Sequence, residues 1–210
     1  MYLSDVSSSF EKPKSTLLDA ISNVGVHKGT MPARYGGKIS SVLDISLREG
    51  NRREHKVNGG AGLISARLTV EGPIKKDTSS FIFSGRRTYI DVLTRPFAKG
   101  TSAEGSGYYF YDLNAKINHR FSEKDEVYLS GYFGRDVFSF KNTDAGFGTS
   151  IPWGNSTASL RWNHLFNDQL FLNMNVSYTD YNFAFEGEQE EFAFGFNSGI
   201  EDWSYKSTMN

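Results

Sequence analysis

The chain has no cysteine, which removes disulfides, thiolate nucleophiles and thiolate metal sites from consideration. It has no run near the ~18 consecutive apolar residues that a membrane-spanning helix needs. Neither sign of charge prevails. The 23 Lys and Arg against 24 Asp and Glu give a net charge of -1 over 210 residues, so there is no basic footprint for nucleic acid and no acidic tail. The opening MYLSDVSSSFEKPKS lacks the basic-then-apolar order of a secretion signal. Catalytic signatures are missing too: there is no G-x-S-x-G elbow, no H-E-x-x-H and no P-loop, and GGAG and GFG lack the strand-to-helix context of a dinucleotide site. His27, His55, His119 and His164 are scattered, without an i, i+4 pair or metal-ligand spacing. No catalytic, cofactor or metal site is expected, and the chain reads as a non-enzyme. These absences exclude a helical membrane protein. They do not exclude a membrane barrel, whose strands alternate and so average to a polar hydropathy.

What the sequence has in quantity is alternation. In YYFYDLNAKINHRF, Tyr109, Tyr111, Leu113, Ala115, Ile117 and Phe121 interleave with Asp112, Asn114, Lys116, Asn118 and Arg120, which places one apolar and one polar face on a single long strand. The same period recurs in ISARLTVE, SSFIFSGRRTYI, EVYLSGYFGRDVF, STASLRWNHLF, LFLNMNVSY and EFAFGFNSGIEDWSYKS, with a shorter, glycine-softened strand at VNGGAGL. About eight antiparallel strands are expected. The connections GPIKKD, SEKD and NDQ are short, whereas LTRPFAKGTSAEGSG and KNTDAGFGTSIP are long and rich in Gly, Ser and Thr. Short turns at one end and long loops at the other are the pattern of an outer-membrane barrel.

The first 50 or so residues differ in texture. Residues 17–22 suit one helical turn, NVGVHK and SVLDISLRE suit short strands, TMPARYGGKIS is turn-rich, and REGNRREHK is a charged hinge. The expected division is a small α/β piece over residues 1–52 and a strand series over residues 53–210. Arg52-Arg53 and Arg86-Arg87 are candidate anion sites, with ion pairing as the commoner use of such doublets. A soluble β-sandwich alternates in the same way. Three features favour the barrel: aromatics near strand ends, the Asn, Ser and Thr of the polar faces, and the alternating loop lengths.

Residues 21–51, ISNVGVHKGTMPARYGGKISSVLDISLREGN, resemble the end of the plug domain of TonB-dependent outer-membrane receptors. There a strand ending in lysine-glycine precedes a turn with tyrosine-glycine and a strand leading into the barrel; here these are Lys28-Gly29, Tyr35-Gly36 and Ser41 to Leu47. LISARLTVEGPIKKDTSSFIFSGRRTYID resembles that family's first barrel hairpins. The wording departs from the commonest pattern in ARYGG and SSVLDI, and is closer to the branch that takes large nutrient ligands and carries an extra upstream β-sandwich domain.

The resemblance implies a mainly β fold. Part of an α/β plug would precede about eight strands of a larger transmembrane β-barrel of roughly 22 strands, since eight alone enclose little beyond their own side chains. On this reading the chain is a fragment in the outer membrane of a Gram-negative bacterium. It would serve active uptake of a large solute such as a glycan or siderophore. Its partners would be outer-membrane lipid, the TonB energy-coupling complex through a plug segment outside this sequence, the nutrient ligand, and a surface lipoprotein. Plug-turn residues would be Arg34, Tyr35, Gly36 and Gly37 after Lys28-Gly29, with Lys28 and Asp44 as polar contacts to the barrel wall. The alternatives from other classes are a soluble carbohydrate-binding β-domain, a plugless outer-membrane pore and a barrel lipase.

Overall fold

The computed structural model describes residues 21–28, 41–190 and 192–209. The chain divides into two compact units, one ending at Arg48 and the other spanning Glu49–Asn210. In the first, β1 (Ile21–Lys28) and β2 (Ser41–Leu47) pair antiparallel, with Lys28 opposite Ser41 and Gly25 opposite Asp44. Ile21 and Ser22, expected in a helical turn, open β1 instead. The plug-turn candidates Gly29, Arg34, Tyr35, Gly36 and Gly37 lie outside the described residues.

The second unit is one antiparallel meander. Its strands are β3 (Lys56–Ala61), β4 (Ser65–Lys75), β5 (Ser79–Thr88), β6 (Gly107–Arg120), β7 (Asp125–Asn142), β8 (Phe147–Asn167), β9 (Leu170–Gln189) and β10 (Phe192–Met209). They form a single eight-stranded sheet in chain order, with β3 and β10 as its open edges. The helix α1 (Ile90–Ala98) lies between β5 and β6.

The loop pattern differs from the expected one at three connections. The segment LTRPFAKGTSAEGSG is not a plain loop, because its first half belongs to α1, where Ile90, Leu93 and Phe97 recur at helical spacing. Nor is KNTDAGFGTSIP a long loop. The β7–β8 ladder continues to Asn142 opposite Phe147, which leaves residues 143–146 as the turn. On the opposite end, GPIKKD contributes its first four residues to β4. Loop length does not alternate strictly; strand length does the projecting.

Burial in this sheet is inverted relative to a soluble domain. Along β6 every residue of the polar set Asp112, Asn114, Lys116 and Asn118 is buried, while Leu113, Ala115 and Ile117 between them are exposed. Among the described residues only Ile82 and Tyr128 are buried hydrophobics, against eleven buried polar or charged side chains. The register extends both faces across the strands. Ile117, Leu129, Leu160, Val176 and Tyr205 form one apolar row, and Asn114, Tyr132, Thr157 and Thr179 form a polar row on the opposite face. In water an apolar face of this size is costly at ~25 cal/mol per Å².

Candidate functional site

The polar face, here called the inner face, carries three clusters from the short-turn end upward. The first holds the segment that enters β3. Arg52 ion-pairs with both Glu49, at 3.0 Å, and Glu126. Asn118 donates from Nδ2 to Glu49 at 3.0 Å and accepts at Oδ1 from the Ser80 amide at 2.8 Å and the Ser80 hydroxyl at 2.6 Å. At 1% exposure, Asn118 is buried with its hydrogen bonds made. The Asn51 amide donates to Glu71, and the Asn51 side chain accepts from the amides of Arg53 and Glu54. Gly50 is required by close approach, since a Cβ there would collide with the Phe81 carbonyl. Burial pulls the Arg52 guanidinium down, but the carboxylates of Glu126 and Glu49 outweigh it and hold its pKa above the usual value.

The clamp makes a measurable prediction. Glu126→Ala removes a charge-assisted hydrogen bond that contributes about 1.5–3 kcal/mol, so the segment between Arg48 and Lys56 should open more often. Trypsin should cut at Arg48, Arg52 or Arg53 roughly tenfold faster or more on that scale, and an unchanged cleavage rate would show that Glu126 does not hold the segment.

The second cluster centres on Tyr128, whose ring lies under two cations: Arg161 at 4.4 Å and Lys116 at 5.2 Å from its centroid. This stacking lets like charges share one wall through the ring's negative face. The third cluster is Arg86–Asp112–Tyr132. Arg86 donates from Nε to Asp112 Oδ2 at 2.9 Å, and Tyr132 donates its hydroxyl to Asp112 Oδ1 at 3.1 Å. Gly134, opposite Asp112, leaves room for the Tyr132 side chain to lie over it. Just above, Tyr108 donates to Asp136 at 2.9 Å and Arg86 lies 4.5 Å from the Phe110 ring centroid.

Beyond this level the two faces exchange character. Phe138, Phe140, Ile151, Trp153 and Phe183 fall on the inner face by register, while Arg135, Asp180 and Asn182 fall on the outer one. The apolar band on the outer face is therefore bounded. Along β6 and the residue after it, the band runs from Tyr111 to Phe121, about 33 Å at ~3.3 Å per residue. Its short-turn border is aromatic: His119 and Phe121 pack edge-to-face at 4.4 Å, as do His164 and Phe166.

Three of the four doublet arginines are ion-paired. Arg52 and Arg86 pair as described, Arg53 pairs with Asp77 at 3.1 Å, and Arg87 lies 5.8 Å from the Tyr109 ring centroid. His164 binds Asp125 at 2.6 Å, and the Ser122 hydroxyl donates to the same carboxylate at 2.9 Å. Ser122 thus faces the acid and not the imidazole, so this trio lacks the nucleophile–base bond of a hydrolase. Among the described residues no group of His, Asp and Glu is placed to hold a metal. Lys28 and Asp44 sit in the two-stranded sheet of the first unit. The Glu49–Arg52–Glu126 clamp escapes sequence reading because Arg52 and Glu126 are 74 residues apart; only the polar side of β6 and β7 hints at it. No family model, curated protein or solved structure matches the chain.

Proposed function

We propose that this sheet is an arc of an outer-membrane β-barrel and that the chain belongs to a TonB-dependent receptor taking up a large nutrient solute. The observation that carries this reading is the inverted burial: Leu129 and Leu160 are 51% and 49% exposed while Lys116 opposite Ser130 is 7% exposed. In a bilayer that inversion becomes favourable, because the apolar face meets hydrocarbon and the polar face lines water. The open edges at β3 and β10 then require further strands, since unpaired edge groups are not tolerated in lipid.

On this reading β1 and β2 belong to a plug, with Lys28, Gly29, Arg34, Tyr35, Gly36, Gly37 and Asp44 around its final turn, and the clamped segment from Glu49 to His55 joins plug to wall. The solute lands above the lipid band, where Trp153, Phe183 and Phe138 offer flat apolar surface beside Asp136 and Arg86. A large solute such as a glycan or siderophore suits so broad a surface. Energy arrives through TonB pulling on a plug segment, and the solute passes unchanged. A surface lipoprotein is a fitting partner at the projecting strands.

Site-directed labelling tests the orientation. The chain has no cysteine, so Ala145→Cys in the β7–β8 turn and Lys124→Cys in the β6–β7 turn are clean reporters where the rest of the receptor has no exposed thiol. A membrane-impermeant thiol reagent on intact cells should label position 145 and spare 124, with both labelled once the outer membrane is permeabilised. Labelling of 124 alone would invert the topology. A chain recovered from the soluble fraction without detergent would remove the barrel and restore the soluble β-domain.

A further inference from the structure

The outer face of the sheet holds a groove of about 790 Å³ beneath α1, floored by Leu68, Phe83, Gly85 and Leu113 and walled by Tyr111. Glycine at position 85 keeps the floor low: its missing side chain leaves Leu113 to pack alongside, 3.1 Å from where a Cβ would stand. The groove is apolar along its length and cationic at its helix-bearing end, where Arg87 and Arg95 line it. Arg86, next to Arg87 in the chain, belongs to the opposite face, where it pairs with Asp112. Arg95 meets Asp91 only at 3.8 Å and keeps 76% of its side chain exposed. Asp91 itself is buried, with Oδ1 lacking a hydrogen-bond partner.

Helix α1 adds a second observation. It is amphipathic, and its apolar side chains are outside: Phe97 is 85% exposed, with Val92 and Leu93 also exposed. An amphipathic helix with exposed apolar residues beside a cation suits the plane where headgroups meet acyl chains. That plane coincides with the upper border of the apolar band, next to Tyr109 and Tyr111.

We infer that α1 and the groove beneath it form a binding site for one anionic phospholipid. Its acyl chain lies over Gly85 between Leu68 and Leu113, and its phosphate meets Arg87 and Arg95. The inference rests on the barrel reading, and charge complementarity selects the occupant: a neutral chain would leave the arginines unused, and a free phosphate would leave the groove empty.

The test uses the full receptor purified from membranes in mild detergent, with native mass spectrometry after addition of dioleoyl phosphatidylglycerol or dioleoyl phosphatidylcholine. One phosphatidylglycerol per chain should be retained in preference to phosphatidylcholine. Arg87→Gln with Arg95→Gln should weaken retention on the order of tenfold or more, as expected for two lost charge-assisted contacts, while Arg87→Lys with Arg95→Lys should keep most of it. Equal retention of the two lipids by the unaltered receptor would overturn the inference whatever the variants do, as would full retention of phosphatidylglycerol by the double Gln variant. A receptor that never enters the membrane fraction would instead overturn the barrel reading on which the site depends.

Discussion

Leu129→Arg is expected to prevent stable membrane assembly of the receptor, whereas Thr179→Lys is expected to assemble as the unaltered chain does. Leu129 lies within the apolar band of the outer face, between Ile117 and Leu160. A cation there, near the bilayer midplane, costs about 2–4 kcal/mol, which is a large part of the ~5–15 kcal/mol that holds a typical domain folded. Thr179 faces the other way, opposite Thr157 and Asp202, so a lysine gains a cross-strand carboxylate and stays in water. The two variants add the same charge, and only the face differs. A heat-modifiable, protease-resistant band in the membrane fraction reports assembly. In a soluble β-domain the difference vanishes, because Leu129 is already half-exposed and a surface Leu→Arg change falls within about 0.5 kcal/mol of neutral. Equal assembly of both variants would show that no lipid face exists.

That test uses the part of the fold that was most legible. The alternation in β6 predicted both faces residue by residue, from Tyr109 to Arg120, because a strand with one face in each environment shows the period without interruption. The strand count was legible for the same reason. The upper halves of β7, β8 and β9 were not, and the register shows why. On β7 the apolar residues sit at odd positions, Val127, Leu129 and Phe133, and then at even ones, Phe138 and Phe140. On β9 they move from the even positions Leu172 to Tyr178 to the odd positions Phe183 and Phe185. A change of parity reads in sequence as the end of a strand. In the fold it is one continuous strand passing from one pair of environments to another. Helix α1 was obscured by Pro96 and Gly100, which suggest a loop; Pro96 lies inside the helix, two residues before its end, and forgoes the backbone hydrogen bond an amide there would donate. The ionic clusters were illegible in principle, since pairing Arg86 with Asp112 needs the β5–β6 register across a connection that contains a helix.

Asp112→Ala is expected to be the most damaging single change on the inner face. Asp112 is 7% exposed and accepts from both Arg86 and Tyr132, so truncating it strands a guanidinium and a phenol together on one wall. Removing one partner of such a half-buried pair costs about 3–5 kcal/mol, most of it the penalty of the charge left behind. Asp112→Asn keeps an acceptor for Tyr132 and should cost less. The double variant Arg86→Met with Asp112→Leu removes the stranded charge altogether and should recover much of the loss. Urea unfolding of the receptor in micelles measures all three. Equal destabilisation by Asp112→Ala and by the double variant would mean that packing around Tyr132 and Phe110, and not the buried charge, holds the upper wall. Recovery in the double variant, with uptake still lost, would separate two roles for the same pair: the scaffold tolerates an apolar substitute, while a charged rim beneath Trp153 and Phe183 is needed to pass the solute inward.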